Sequence, residues 1–198
     1  KQAAAWNPEV LIITSPHQVM YSDYFHISPG RGATGDMSAF GASGTKLHVE
    51  YDAQLGDEII RRAESADLRV GTLGQRNPYL DHGTFVPLYF LREAGVDCPI
   101  LRIGLSGFSP LDHYRLGQCI ARAVKNLGRR AVFVASGDLS HKLRDDGPYG
   151  FAPEGPEFDR QITEAMAEGD FLRFLTVDPG LCDRAAECGL RSFQIMAG

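Results

Sequence analysis

Long apolar runs are the first thing missing from this sequence of 198 residues. No stretch approaches the roughly 20 apolar residues that a helix needs to cross a bilayer, and no signal peptide is recognisable. Cysteine is also scarce: the four cysteines, at positions 98, 119, 182 and 188, form no CxxC pair. Cysteines of this kind do not form a disulfide framework, and they favour a reducing compartment. We therefore expect a cytoplasmic protein that does not enter the membrane.

An excess of basic charge is missing as well. The chain has 20 Lys and Arg residues against 25 Asp and Glu residues, which gives a net charge of -5. The basic residues are scattered and form no stripe of the kind that binds a phosphate backbone, so we exclude a nucleic-acid partner. With 43% apolar residues the chain is long enough to bury one sizeable core, and a single domain over residues 1–198 is expected.

Strand-like and helix-like segments alternate along the chain. This alternation predicts an α/β domain with a mixed or parallel sheet flanked by helices. The segment 142–155, rich in Gly, Pro and Asp, is predicted to be a surface loop and a candidate lid. Strands are predicted over 10–15, 67–71, 99–105 and 131–135, and helices over 53–68, 85–94, 112–127, 156–167 and 170–175.

The amino end begins as if in the middle of an element. Residues 1–6 favour a helix and run directly into Asn7-Pro8 and the first strand. We interpret them as the tail of a crossover helix whose preceding strand is absent, so that the domain is amino-terminally incomplete. The right-handed crossover rule predicts that the absent strand neighbours residues 10–15.

One glycine-rich segment matches a nucleotide-binding pattern, although its context does not. Residues 30–35 spell GxGxxG, but Gly41 and Gly44 interrupt the helix that a dinucleotide site requires after the third glycine. The next strand is expected near Leu47. A flexible glycine-rich loop is therefore the preferred interpretation. The serines at 106–109 and 136–140 form no GxSxG elbow, and serine hydrolysis is not expected.

Histidine is the informative residue type. The apolar runs 10–15 and 131–135 lead directly to His17 and His141, and ligands bind at the carboxyl ends of strands in α/β sheets. His82 follows Asp81, a candidate helix cap, and precedes Gly83, which permits close approach of backbone or ligand. Any one of these histidines alone is more simply explained as a core or capping residue, but three at loop and strand ends favour a site. The remaining assigned histidines, His48 and His113, are interpreted as structural or surface residues.

Four motifs in order carry a family resemblance. They are Ser15-Pro-His17, Leu80-Asp-His-Gly-Thr-Phe-Val-Pro-Leu88, Ser136-Gly-Asp-Leu-Ser-His141 and Glu187-Cys-Gly-Leu-Arg-Ser-Phe193. Together they resemble class III extradiol ring-cleavage dioxygenases of the LigB type. The resemblance is strongest to the AmmeMemoRadiSam-associated branch, which implies an AMMECR-type domain or protein as a partner. A homo-oligomer is left open.

The resemblance implies a non-haem Fe(II) held by two histidines and one carboxylate. His17 matches the second histidine ligand, whereas the first lies in a PHPP-like motif that this chain lacks. Glu187 matches the carboxylate, and Cys188 is its rival because Memo-type relatives place a cysteine there. A cysteine ligand would favour zinc or copper.

The resemblance also implies roles for the other two histidines. His141 would be the general base on a catechol hydroxyl, and His82 would donate a hydrogen bond to substrate or dioxygen. The implied activity is extradiol cleavage of a small catechol-like aromatic diol with O2. The alternative is a Memo-like metal- or redox-binding protein without ring cleavage. In either case we expect His17, His82, His141 and Glu187 to converge at one end of the sheet.

Overall fold

The computed structural model describes residues 1–198 and is an α/β fold. Two short 3-10 helices, Ser38–Phe40 and Phe171–Leu175, supplement the regular elements. None of the helices is both long and apolar enough to cross a bilayer. In chain order the elements are α1 (Gln2–Ala5), β1 (Val10–Ser15), β2 (Phe25–His26), β3 (Gly32–Met37), β4 (Ala42–Glu50), α2 (Ala53–Glu64), β5 (Val70–Gly71), α3 (His82–Glu93), β6 (Ile100–Gly104), α4 (Pro110–Asn126), β7 (Ala131–Ala135), α5 (Glu154–Glu168), α6 (Pro179–Ala185) and α7 (Leu190–Ala197).

A three-stranded parallel sheet in the order β6-β1-β7 forms the centre of the fold. Leu11 of β1 is in register with Ile100 on one side and with Val132 on the other. The expected parallel sheet flanked by helices is therefore confirmed. Because both edges of β1 are already paired, the prediction that an additional strand neighbours residues 10–15 is wrong.

Each face of β1 packs against a different layer. Val10 and Ile12 point into a cluster with apolar residues of α2, α4 and α7, whereas Leu11 and Ile13 point into a cluster with α3 and the β3–β4 pair. This alternation is the two-residue period of a strand, and burial on both faces explains why β1 is apolar throughout. The central strand β1 is thus covered on both sides, and the carboxyl end of the sheet is left for the site.

The glycine-rich segment is not a loop, which corrects the sequence interpretation. Its second half is in β3, which pairs antiparallel with β4. Ala33 and Val49 are buried from this pair against Phe85 and Leu88 of α3. Tertiary packing therefore outweighs the low strand preference of glycine. The third glycine lies within β3 and no α-helix opens there, so this fold supports no dinucleotide fingerprint.

The carboxy-terminal region holds helices that the sequence pattern did not predict. α6 and α7 pack with α5 around Phe158, Phe174 and Phe193 in a third apolar cluster. These helices are only seven and eight residues long, so each shows little of the periodicity by which amphipathic helices are recognised. They matter for function because the segment between them carries Glu187 and Cys188.

Candidate functional site

The loop after β1 presents His17 to the start of α3. The hydroxyl of Ser15 donates a hydrogen bond to Asp81 Oδ1 at 2.5 Å and accepts one from the backbone N–H of His17 at 3.2 Å. Asp81 is the helix cap that the sequence predicted, since its Oδ1 also accepts from the N–H of Thr84 at 3.0 Å. The end of β1 and the first turn of α3 are therefore tied together through one carboxylate.

His82 is the first residue of α3, three residues earlier than the helix start predicted at Phe85, because the Asp81 cap begins the helix there. The rings of His17 and His82 lie 3.8 Å apart between centroids. A Cβ on Gly83 would lie 2.9 Å from His17 Cδ2, so the glycine does permit the close approach inferred from the sequence. Burial, followed by the neighbouring His82, lowers the pKa of His17 and favours its neutral form.

His17 and His82 line a cavity of about 360 Å³, referred to below as the first cavity. Its size falls in the range typical of small-molecule sites. The polar groups of Ser136 and Asp138 come from the loop after β7. The loops after two neighbouring parallel strands therefore meet at one cavity, as expected for the carboxyl edge of an α/β sheet. The remaining wall includes the apolar side chains of Val86, Pro87 and Val134.

Asp138, His141 and Cys188 form a group of three metal-ligating side chains beside the first cavity. Their donor atoms all lie within 4.8 Å of one another. Two hydrogen bonds hold the segments together: Asp138 N–H donates to the side-chain Sγ of Cys188 at 3.1 Å, and Cys188 N–H donates to the Asp138 backbone carbonyl at 3.2 Å. Asp138 also lines the first cavity, so this group and the cavity of His17 and His82 share one residue.

The hydrogen bonds of His141 fit a cation in this group. Its Nδ1 contacts the carbonyl of Ala186, which has no proton to give, so Nδ1 carries the proton and donates. In the neutral ring the lone pair of Nε2 then faces Asp138 Oδ2 at 3.2 Å. Two lone pairs at this distance require a proton or a metal ion between them. A backbone carbonyl on the other ring nitrogen is also the usual support of a metal-bound histidine.

The two rival residues of the carboxy-terminal motif face different surroundings. Cys188 belongs to the group with Asp138 and His141, and burial raises the pKa of its thiol. Glu187 instead lines a separate cavity of about 200 Å³ with Cys182 and Arg191, and its Oε2 accepts from Leu190 N–H at 2.7 Å. Burial raises the pKa of Glu187. The structure therefore brings His17 and His82 to the first cavity and His141 beside it, whereas Glu187 lines the separate cavity and is not one of the three grouped donors.

The loop between β7 and α5 reaches back over His141. The ring of Tyr149 lies 4.8 Å from that of His141 between centroids, and Tyr149 itself is exposed. This placement agrees with the candidate lid inferred from the composition of residues 142–155. A movement of this loop would change the exposure of His141.

Three side chains near the site were not singled out from the sequence: Asp138, His26 and Arg102. Asp138 stands inside the quoted motif, three residues before His141 and directly after a strand, and this position is the signal that could have found it. Arg102 lies in the middle of β6 and His26 in β2, where a polar residue within an apolar strand is the only sequence signal. Both are buried.

Comparison with known proteins identifies the family. The family model described as the catalytic LigB subunit of aromatic ring-opening dioxygenase matches residues 1–198. The chain therefore belongs to the LigB family, as the motifs indicated. An uncharacterised Escherichia coli K12 protein, JW3007, has a similar structure, with a TM-score of 0.64 and 16% sequence identity over 98% of this chain and 80% of the other. At this identity the likeness shows the fold alone.

Two curated relatives add to this result. Protein CA_C1420 of Clostridium acetobutylicum is 33% identical over 205 residues, covering 100% of this chain and 44% of the relative. The Escherichia coli 2,3-dihydroxyphenylpropionate/2,3-dihydroxicinnamic acid 1,2-dioxygenase is 29% identical over 152 residues, covering 72% of this chain and 46% of the relative. The chain thus spans less than half the length of each relative. The family model and the Escherichia coli relative are both named for dioxygenases.

Proposed function

We propose that this chain forms the core of a metal-dependent extradiol dioxygenase that opens a catechol-like aromatic diol with O2. The observation that carries the proposal is the first cavity, where His17 and His82 meet Asp138 of the Asp138–His141–Cys188 group. The cavity combines a few convergent polar groups with an apolar wall, as small-molecule sites commonly do. The Escherichia coli relative named for 2,3-dihydroxyphenylpropionate supports a diol on an aromatic ring as the substrate class.

The donor set fits a divalent transition metal. Asp138, His141 and Cys188 would hold the ion, and His17 stays the predicted second imidazole because it shares the first cavity with Asp138. The imidazoles of His17 and His141 with the Asp138 carboxylate suit Fe(II), which is the metal proposed, whereas the Cys188 thiol is the one donor that favours zinc or copper. When bound, iron would supply the activation of dioxygen that an organic side chain cannot provide.

The side chains of the first cavity would orient the substrate and move its protons. In its neutral form His17 would hold the ion through one ring nitrogen, and a phenolic proton would pass to His141 in the version of the proposal in which His141 is the base. His82 stands at the amino end of α3, where the helix dipole favours negative charge, so its N–H would stabilise a developing oxyanion. Val86, Pro87 and Val134 would contact the apolar edge of the ring and exclude water.

The role of His141 separates two versions of this proposal. The family resemblance implies a general base, whereas the contacts with Asp138 and Ala186 favour a ligand. If the His141→Ala variant retains metal but turns over substrate about a hundredfold more slowly, His141 is the general base. Metal loss equal to that of His17→Ala supports the ligand.

A second candidate function rests on Cys188. A thiol in the group favours zinc or copper over iron, which fits a Memo-like metal- or redox-binding protein without ring cleavage. The AMMECR-type partner remains part of this proposal and of the dioxygenase proposal alike.

The deciding experiment combines metal content with oxygen uptake, on the protein in its full natural length. After anaerobic loading with Fe(II), we expect bound iron and O2 consumption with 2,3-dihydroxyphenylpropionate or another catechol. Cys188→Ser should lower metal affinity by more than about tenfold, because loss of even a group that only supports a ligand costs roughly 10–100-fold, while the matched variant Glu187→Gln retains metal. If the Cys188→Ser variant retained its metal and the Glu187→Gln variant lost it, the assignment of these two residues would be reversed. Zinc or copper binding without iron binding or O2 uptake would favour the Memo-like alternative.

A further inference from the structure

A second cavity, smaller and more polar, lies on the other side of His17. Its volume is about 140 Å³, and Val19 is its single apolar wall residue. His17 belongs to the walls of both cavities, so the two cavities adjoin at this imidazole. The remaining wall consists of Gln18, His26, Gln75, Asn77, Asp81 and Arg102.

Arg102 places an unneutralised positive charge in this wall. The residue is 5% exposed and lies in the middle of β6, yet its guanidinium forms no ion pair with any carboxylate within 4.0 Å. One nitrogen, Nη1, donates to the carbonyl of Tyr79 at 3.0 Å, and Nε has no partner. Burying a charged group without a counter-ion is costly, and native proteins normally pair such groups. An anion bound in the cavity would provide the missing pairing.

His26 adds a second buried group without a partner. It is 3% exposed, and its Nε2 has no hydrogen-bond partner. A ring nitrogen that carries a proton can donate to an anion. Asn77 adds a side-chain amide: its Oδ1 already accepts from Tyr79 N–H at 3.0 Å, so its NH2 group is the part that can donate. The orphaned groups of His26 and Arg102 therefore belong to the same small cavity. The Arg102 guanidinium and the Asn77 amide supply N–H donors, and the His26 ring adds another in the tautomer that carries its proton on Nε2.

The one acid in the wall does not cancel this preference. Both carboxylate oxygens of Asp81 are engaged: Oδ1 accepts from Ser15 Oγ and Thr84 N–H, and Oδ2 accepts from Thr84 Oγ1 at 2.8 Å. The Asp81 charge also lies at the amino end of α3, where the helix dipole stabilises it. Asp81 therefore caps α3 and does not form an ion pair with the guanidinium of Arg102.

We propose that the second cavity binds the carboxylate of an anionic aromatic substrate, with Arg102 as its main counter-ion and His26 and Asn77 as further donors. The proposal rests on the dioxygenase function above and deepens it, because it assigns a negatively charged group to the substrate. The volume of about 140 Å³ suits a carboxylate with its nearest carbons rather than a whole aromatic ring. The ring and its hydroxyls would then lie in the first cavity.

A binding experiment that needs no turnover tests this site. Benzoate and benzamide have similar shapes and differ in charge, and their affinities for the metal-free protein are measured by calorimetry. We expect benzoate to bind at least about tenfold more tightly than benzamide, since hydrogen bonds to charged groups contribute roughly 1.5–3 kcal/mol. We also expect acetate to bind about tenfold more weakly than benzoate, because it leaves the first cavity empty.

Three variants locate the effect. Arg102→Met should remove the preference for benzoate, and Arg102→Lys should keep part of it because the charge is retained. Asn77 lies on an exposed loop, so Asn77→Asp should not affect folding. Its added negative charge should lower benzoate affinity at least about tenfold and benzamide affinity by less. Arg160→Gln removes an exposed arginine far from the cavity and is the matched control, for which no change is expected.

The outcomes separate this inference from the proposed function. Equal affinities for benzoate and benzamide, or undiminished benzoate binding by both Arg102→Met and Asn77→Asp, would overturn the carboxylate site. Acetate binding as tightly as benzoate would overturn its assignment to an aromatic substrate. A protein that shows the expected benzoate selectivity but no metal-dependent O2 uptake would keep the anion site and contradict the dioxygenase proposal.

Discussion

His113 makes the stability of this fold sensitive to acid. The residue lies in α4, is fully buried and packs edge-on against Phe25 at 4.8 Å between ring centroids. Its Nδ1 contacts the Ser109 carbonyl at 2.9 Å, whereas Nε2 has no partner. Burial lowers the pKa of His113 from 6.5 to about 4, opposed by the Ser109 bond and by Asp112, and assisted by the charge of Arg191.

The size of the effect follows from proton linkage. Between these two pKa values the unfolded chain binds a proton at His113 and the folded chain does not, so stability falls as the pH falls. With pKa values of 6.5 and about 4, the free energy of unfolding should drop by about 2 kcal/mol between about pH 7 and about pH 5. Below about pH 4 both states are protonated at this residue, and it adds no further pH dependence.

Urea denaturation of the wild type and of His113→Gln at the two pH values measures this drop. Other acid-sensitive groups are common to both proteins, so the difference between their pH dependences isolates His113. We expect the wild type to lose about 2 kcal/mol more than the variant on acidification. His48→Gln, on β4, is the matched control and should lose as much stability as the wild type. Parallel pH dependences for wild type and His113→Gln would show that the buried imidazole does not resist protonation.

Three further substitutions test the packing around the site. Phe158→Ala should lower the free energy of unfolding by about 3–5 kcal/mol in urea, because it empties a fully buried position; a loss below about 1 kcal/mol would contradict that packing. Asp81→Ala should cost about 1–2 kcal/mol in the same assay by removing the α3 cap and the Ser15 bond, and no loss would mean that the cap is dispensable. Gly137→Ala would place a Cβ 2.4 Å from Gly189 Cα and should reduce bound metal, whereas unchanged metal content would contradict the close contact.

The central sheet could be predicted from the sequence because its strands are apolar on both faces. β1, β6 and β7 stand out as short Val, Ile and Leu runs, and the carboxyl edge of a parallel sheet is a general location for ligands. The β3–β4 pair could not be predicted in this way. This pair is buried by α3, which is distant in the sequence. The glycines of the segment, taken without that contact, suggested a loop.

The choice between Glu187 and Cys188 could not be made from the sequence. Adjacent residues differ in direction according to the backbone, and here Ala186 adopts a left-handed conformation with φ of 53° just before them. A non-glycine residue rarely takes this conformation, so nothing in the identity of alanine predicted it. The same residue supplies the carbonyl that contacts His141 Nδ1. One unusual backbone residue therefore affects both the tautomer of His141 and which side chain joins the metal-ligating group.

The group of Asp138, His141 and Cys188 depends on a contact that neither chain segment specifies alone. The loop after β7 and the loop between α6 and α7 exchange two hydrogen bonds through Asp138 and Cys188. This exchange requires close backbone approach, which Gly137 and Gly189 allow because neither has a Cβ. The motif around Asp138 or the motif around Cys188 would not define the site alone. Each residue becomes a candidate ligand only because the apolar cluster around Phe158 and Phe193 holds α7 against the sheet.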